Sequence, residues 1–321
     1  MHPYDVIVIG GGPAGLQAAL TLGRMRRRVA LIDGGSYRND PAHAMQNLIG
    51  HDGHPPAELR AAARAELARY ATVEVVEARV ADLAGEADAF RVALEDGRAP
   101  EARTVLTARR LLLATGAADA LPDIPGVAEL FGDRIAHCPY CHGFELADGP
   151  IAFLGLGPHT PAQAALVARL ATRRLVLLDG ADAPAEVREQ LDRMGVEVVP
   201  ERVLAVRAHA DGLEVALDRG QDDAEADALV LTGMFVAPGW SQAAPFAEQL
   251  GLERAPTGAT LVDSMGRTSL DGVAAAGDAA QPRSMPGPMS SVASSIASGQ
   301  VAAATLDREL AMLDAGIPLP V

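Results

Sequence analysis

Residues 5–33 read DVIVIGGGPAGLQAALTLGRMRRRVALID, and the folding of this stretch decides the fold of the chain. Asp5–Gly10 is a short β-branched run ending in glycine, the pattern of a buried parallel strand. Gly10-x-Gly12-x-x-Gly15 follows and opens the helical pattern Leu16–Met25. A second apolar run, Val29–Asp33, then ends in an acid. The first glycine permits a tight turn, and the second lets backbone approach a pyrophosphate. The third lets the helix pack on the sheet, and Asp33 is placed to hold a ribose hydroxyl. Strand, glycines, helix, strand and acid in this order predict a dinucleotide site.

The pattern recurs at 151–180, IAFLGLGPHTPAQAALVARLATRRLVLLDG. Gly155 and Gly157 match Gly10 and Gly12, and Asp179 is set against Asp33. The third glycine is replaced by Thr160, which adds bulk where helix meets strand, and Pro158 removes a backbone N–H. Two such units so far apart imply two nucleotide-binding domains. For the second, a working nucleotide site and a bare scaffold both stay open.

The rest of the chain completes the first unit. Leu111–Gly116 is a buried strand ending in a small-residue turn at Thr115-Gly116. Leu270–Asp278 delivers Gly277-Asp278 at the end of another apolar run, and the carboxyl ends of such strands face the ligand. A helix follows from about Ser290, with Ser290 and Ser291 as candidate caps; its positive end suits electron-rich atoms of a bound ring. The expected fold is α/β, with two Rossmann-like nucleotide-binding domains. The first takes residues 1–116 plus 243–321, and the second, 117–242, is inserted in it and carries the only two cysteines.

Composition narrows the function. Of 321 residues, 49% are hydrophobic, and the net charge of −15 is spread along the chain. No clustered basic surface points to nucleic acid. All 27 basic residues are arginine, which excludes a Walker lysine and a lysine Schiff base. No apolar run approaches the roughly 18 residues that span a bilayer, and the N-terminus lacks a secretory pattern. A cytoplasmic protein without membrane partners is expected.

Together these residues resemble the low-molecular-weight thioredoxin reductases over nearly the whole chain. The shared marks are the first glycine motif, Ala114-Thr115-Gly116 before the insertion, and Cys-x-x-Cys ahead of the second glycine motif. Phe235-Val-Ala-Pro-Gly239 and Ala275–Asp278 complete the set. Tyr37-Arg38-Asn39, Cys138-Pro-Tyr-Cys141-His142-Gly143 and the altered second motif are similar to the dithiol oxidases that close disulfides in gliotoxin and holomycin. The resemblance implies a homodimer with FAD in the first site and NADH or NADPH as the nucleotide of the second. It implies that Gly10, Gly12, Pro13, Ala14 and Gly15 hold the FAD pyrophosphate and Asp33 its adenosine ribose. Thr115, Gly116, Gly277 and Ser290 would line the cofactor, Asn47 would touch the flavin region, and Asp278 the ribityl or pyrophosphate segment. Gly155, Gly157 and Asp179 would form the second nucleotide site.

The stretch His137–Gly143 allows four chemistries: zinc, c-type haem, a redox disulfide, or none. Haem attachment needs export and a second axial ligand. A structural zinc site needs four ligands, and no second Cys-x-x-Cys or His-x₃-His is present; no metal is expected. A redox pair is the reading that fits the family. A short helix starting near Cys138 would favour thiolate by its dipole, and Pro139 suits the first turn. By resemblance Cys141 faces the flavin and Cys138 exchanges with substrate. His142 stands where the reductases carry aspartate, and imidazole can act as a general base at neutral pH; a histidine that only lines the domain is the alternative. His137, His43, His51 and His54 are read as bystanders.

Electron flow stays open between three readings. After the second βαβ strand the reductases carry a basic motif for the 2′-phosphate; here Leu178–Pro184 holds two acids and no arginine before Arg188. NADPH is disfavoured, so either NADH binds or no nicotinamide does. The first reading is a dithiol oxidase that passes electrons from a small-molecule dithiol through FAD to oxygen. The second is an NAD(P)H-dependent reductase of a disulfide or a thioredoxin-like protein, and the third a redox-sensing flavoprotein without turnover.

Overall fold

The computed structural model describes residues 4–95, 104–220 and 228–319. The chain divides into two units. One comprises Met1–Asp40, Ala57–Ala118 and Trp240–Val321; the other comprises Pro41–Pro56 and Asp119–Gly239. Residues 41–56, which the sequence reading left in the first domain, group with the second unit.

The first unit begins with β1 (Tyr4–Ile9), α1 (Pro13–Arg24), β2 (Val29–Asp33), α2 (Pro56–Leu67) and β3 (Val73–Glu77). It continues through β4 (Val80–Ala84), β5 (Phe90–Leu94) and β6 (Val105–Leu113). The sheet order is β3-β2-β1-β6-β5-β4, and the late strand Val273–Ala275 also pairs with β6. Both β1 and Val273–Ala275 lie parallel to β6, so the carboxyl ends of β1, β2, β6 and the late strand share one sheet edge.

The β1 run is apolar throughout because both faces of the sheet are covered. Period-two alternation sends Val6 and Val8 to one side, with Leu16, Leu22 and Leu306. Ile7 and Ile9 go to the other side, with Phe90, Val92 and Val262. The first side is covered by α1 and the long helix Val292–Asp314, which contributes Ala302, Ala303, Leu306 and Leu310. The two helices meet at backbone distance: a Cβ on Gly299 would enter the Ala14 carbonyl oxygen.

The second unit repeats the scheme. Its five-stranded sheet runs Val196–Val199, Arg173–Leu177, Pro150–Leu154, Gly233–Val236, Ile135–Ala136, every pair parallel. Ala152 and Leu154 face one core, Ile151 and Phe153 the other. A three-stranded antiparallel sheet (Val203–His209, Gly212–Leu217, Leu229–Leu231) accompanies it. The fold is the expected α/β architecture, two Rossmann-like units with the second interrupting the chain of the first. Among the described residues, no helix is long and apolar enough to cross a membrane.

Gly299→Ala should destabilise the protein by about 1–3 kcal/mol, the usual cost of overpacking a close contact, as read by urea unfolding. An unchanged midpoint would show that the two helices can separate freely.

Candidate functional site

The first glycine loop is shaped by what lies against each missing Cβ. Gly10 has φ 114°, and a side chain there would enter the Ala114 carbonyl. One on Gly15 would strike the Gly10 carbonyl oxygen, and one on Gly11 the Asp33 carboxylate. Gly12 differs. Its φ of −75° suits any residue, and a Cβ would meet no protein atom within 4 Å. Neither backbone nor packing demands glycine there, so the space a side chain would fill is open to a ligand. That space adjoins the start of α1, which has Pro13 in its first turn, no side-chain cap and no acidic residue in that turn. A pyrophosphate suits this positive, uncapped end.

Ala114 and Gly277 lie against the same loop. The Ala114 N–H donates to Ile9 at 2.8 Å and the Ala276 N–H to Leu113 at 2.9 Å, fixing both strand ends. Thr115 and Gly116 (φ 74°) turn away just beyond. Gly277, at φ 67°, brings its Cβ position to 3.0 Å from Ala14, and its N–H donates to Ser298 Oγ at 3.0 Å. Ser291, not Ser290, caps the long helix, accepting from the Ser294 N–H in a capping box; Ser290 is the residue before. Asn47 stands in the 41–56 segment at φ 59°, its N–H on Asp52 at 2.7 Å.

Asp33 is 4% exposed. Burial opposes its ionisation, but three donors overcome that: Tyr37 Oη at 2.6 Å, the Gly35 N–H at 2.9 Å and the Arg64 guanidinium. Together they hold its carboxyl below the usual carboxylate range. Burial and the Asp33 charge push the Tyr37 phenol up. Arg64, on α2, also bonds Glu77 at 2.8 Å. These residues border a cavity of about 320 Å³ lined by Asp33, Gly34, Gly35, Arg64, Ala78 and Arg79. Its place beside Asp33 and the glycine loop fits the adenosine half of a dinucleotide.

The second loop differs in chemistry. Its register matches the first: the Gly155 N–H donates to Leu177 as that of Gly10 does to Ile32, both at 2.8 Å. That equivalence puts Leu178, 1% exposed, in the place of Asp33. Setting Asp179 there from the sequence is therefore one residue out. Asp179 turns away at φ 53°, and its Oδ1 accepts the Val203 N–H at 2.8 Å. Thr160, in the third glycine's place, does more than add bulk. Its hydroxyl accepts the Gly157 N–H at 2.9 Å, occupying the amide that corresponds to Gly12. Arg188 is paired with Asp182 at 2.7 Å. The second loop thus lacks the open amide and the acid of the first, and a dinucleotide does not fit it as it fits the first.

Cys138 and Cys141 are joined as a disulfide, with Cα atoms 5.3 Å apart. Cys138 is the N-cap of a single helical turn, Pro139–His142, and its carbonyl accepts the N–H groups of Cys141 and His142. Gly143 closes the turn against Leu170, where a Cβ would collide. Tyr140, between the two cysteines in sequence, and Phe144, three residues after the second, are 68% and 82% exposed. His142 Nδ1 is buried without a hydrogen-bond partner. His137 stacks on Phe131 at 5.9 Å between ring centroids. Among the described residues no His, Cys, Asp or Glu cluster could hold a metal ion.

A doubled nucleotide fold with a redox-type Cys-Pro-Tyr-Cys turn ahead of the second glycine loop is matched by one family model, over residues 4–303. The chain belongs to the pyridine nucleotide-disulphide oxidoreductases. It is 36% identical over 284 residues to "Thioredoxin reductase tcpT" of Claviceps purpurea, covering 85% of this chain and 86% of that protein. An oxidoreductase from Agrobacterium tumefaciens superposes with a TM-score of 0.84 at 34% identity, over 97% of this chain and 99% of the other. HlmI superposes with the same TM-score at 35% identity, over 98% of this chain and 94% of the other. The protein is a flavin oxidoreductase of the kind that acts on sulfur groups, and its cofactor is FAD. The open Gly12 position, the uncapped α1 and the adenosine-sized cavity fit that cofactor.

Sequence reasoning passed over Arg64 and Ser298, and it named Arg38 within the Tyr37-Arg38-Asn39 triplet without giving it a role. Arg64 carries no local signal, being an exposed-type residue on a polar helix. Ser298 lies within a small-residue run whose caps drew attention instead.

Gly12→Ala should leave the protein's folding within about 1 kcal/mol, the size of an N-cap change, while weakening FAD about tenfold or more. Gly15→Ala should unfold it more easily, by about 1–3 kcal/mol. Thermal melts with and without FAD, beside fluorescence titration of flavin, separate the two outcomes.

Proposed function

We propose that the protein is an FAD-dependent dithiol oxidase. In this reading it closes a disulfide in a small-molecule dithiol, with oxygen as the final electron acceptor. The observation that carries this reading is the second loop, where Thr160 Oγ occupies the Gly157 amide and Leu178 replaces an acid. In this reading nicotinamide delivers no hydride, and the electrons come from the thiol side.

Cys138 begins the helical turn and is the sulfur that substrate thiolate attacks. A mixed disulfide forms to Cys138, and the Cys138–Cys141 bond breaks with its electron pair left on Cys141. The substrate's second thiolate then attacks its own sulfur in the mixed disulfide, releasing a cyclic disulfide and leaving Cys138 and Cys141 reduced. Two protons leave the substrate thiols in this exchange. His142, next in sequence to Cys141, takes up the proton that activates each attack and returns it to the cysteine that leaves. Its orphan Nδ1 supports this role, because a buried polar atom without a hydrogen-bond partner is uncommon and is a candidate for proton transfer. Bound FAD supplies a two-electron acceptor that oxygen can reoxidise. Asp33, Asp278, Gly10, Gly12 and Gly15 hold it, and the homodimer of the resemblance is the working form.

A second reading, an NAD(P)H-dependent disulfide reductase, is favoured by the name thioredoxin reductase borne by the Claviceps relative. Anaerobic stopped-flow mixing with NADH, NADPH and a simple dithiol decides between them. We expect the dithiol alone to bleach the flavin and air to restore it. Rapid bleaching by either nicotinamide would instead make the protein a reductase. Cys138→Ser with Cys141→Ser should abolish reduction by dithiol while FAD stays bound. His142→Ala should slow the dithiol half-reaction by 10²-fold or more, in the range of lost general-base catalysis, with no change in FAD content. An unaltered rate would remove His142 from the mechanism.

A further inference from the structure

The chain has a single tryptophan, Trp240, and the thiol chemistry makes no use of it. It stands in the strand Gly239–Gln242, where Trp240 and Gln242 are half-buried and Ser241 between them is exposed. Period-two alternation sends both side chains to one side of the strand. Two hydrogen bonds fix what that strand is tied to. Gln242 Nε2 donates to the Ala279 carbonyl at 3.2 Å, one residue past Asp278, and the Ala243 N–H donates to the Gly116 carbonyl at 3.3 Å. Gly116 follows β6 and Ala279 follows the Val273–Ala275 strand, so Trp240 is held at the carboxyl edge that also carries the first glycine loop. Its ring rests on the turn before Thr260, where a Cβ on Gly258 would lie 3.8 Å from Trp240 Cζ3. Trp240 Nε1 is nevertheless buried without a hydrogen-bond partner. An indole N–H can only donate, and leaving it unpaired away from water is costly. An acceptor that arrives with a ligand removes that cost.

We propose that the Trp240 N–H is reserved for the flavin half of FAD, where it steadies the negative charge that reduction leaves there. The order of strands along the edge assigns the two halves of the dinucleotide. The cavity beside Asp33 lies at the end of β2, and the open Gly12 position follows β1. β6 and the Val273–Ala275 strand come next in the sheet. With adenosine at Asp33 and the pyrophosphate at Gly12, the half that remains falls on the side to which Trp240 is tied, and that half is the flavin. The charge argument is separate from this geometry. Closing the Cys138–Cys141 disulfide from the two thiols releases two electrons and two protons. Both electrons and one proton pass to the cofactor while the other proton goes to solvent, so one negative charge stays with the ring. A preset donor in a site without water holds such a charge more strongly than solvent does. Trp240 thereby raises the flavin potential and favours transfer from the thiols, whichever acceptor later removes the electrons.

The lone tryptophan makes the test direct, because labelling its indole nitrogen gives one N–H signal in a proton–nitrogen correlation spectrum. The holoprotein is used with Cys138→Ser and Cys141→Ser, so that flavin is the sole redox centre. The signal should move downfield when FAD binds and again when dithionite reduces it. Growth on the benzothiophene analogue of tryptophan puts sulfur in place of this one N–H at nearly the same shape. The analogue protein, and Trp240→Phe beside it, should bind FAD with its two-electron equilibrium shifted about tenfold or more toward the oxidised form. That is a potential about 30 mV more negative, as read by equilibration with redox dyes. Thr260→Val controls for altered packing. Thr260 is 1% exposed, lies two residues past Gly258, and its Oγ1 is also without a partner; the potential should not move in that variant. A signal unmoved by reduction overturns the proposal, as does an unaltered potential in the analogue protein. An equal shift in Thr260→Val overturns it too, since the effect would then come from packing and not from the N–H. No dithiol, nicotinamide or oxygen enters these measurements, so their outcome is separate from that of the oxidase reading.

Discussion

The carbonyl oxygen of Gly10 occupies the place any side chain at position 15 would need. That contact lets α1 start immediately after β1, with its first turn pressed on the sheet and its uncapped amides turned to the space above Gly12. The rest of the first unit is arranged around the closeness so gained. Ala14 meets Gly299 on one side and Gly277 on the other, so three separate segments of chain share a few ångströms. Small residues are the condition for this. A chain with 3% aromatics and abundant alanine and glycine is suited to backbone-level packing.

The second unit shows what happens when the constraint is relaxed by one residue. Its strand order and core alternation copy the first, and its Gly155 makes the same hydrogen bond as Gly10. Threonine at 160 does not break the turn; its hydroxyl is accommodated by accepting the Gly157 N–H. The bond that makes the substitution tolerable is also the one that occupies the amide equivalent to that of Gly12. The occupied amide and the retained turn therefore have a single cause.

Much of this was legible in sequence because it depends on local rules. Period-two burial, glycine spacing and the position of Pro13 and Pro139 in first turns concern neighbours within a few residues. The two Rossmann-like units followed from them, while the redox cysteine pair followed from elimination of the alternatives and the family resemblance. What escaped depends on register or on distance. Asp179 was set against Asp33 because an acid lies one place past the strand, and only hydrogen-bond register shows that Leu178 holds the equivalent position. Arg38 and Asp278 are 240 residues apart, and no local pattern pairs them. Residues 41–56 read as continuous with the first domain because no composition change marks where they join the second unit.

The absence of lysine also gains structural content. Where this chain needs a cation it has a planar fork, and the forks are used as bridges more than as point charges. Arg64 joins Asp33 to Glu77, Arg60 joins Asn39 to Asp40 while covering Tyr37, and Arg27 joins Asp307 to Asp314. A lysine could neutralise one partner of each set but could not fix the angle between two. Around the first nucleotide site this matters more than net charge. The chain carries −15 overall, yet an anionic cofactor can be received where arginines hold the nearby acids in set directions. Around the first glycine loop the described residues offer oriented pairs, Arg64–Asp33 and Arg38–Asp278, within a protein of net negative charge.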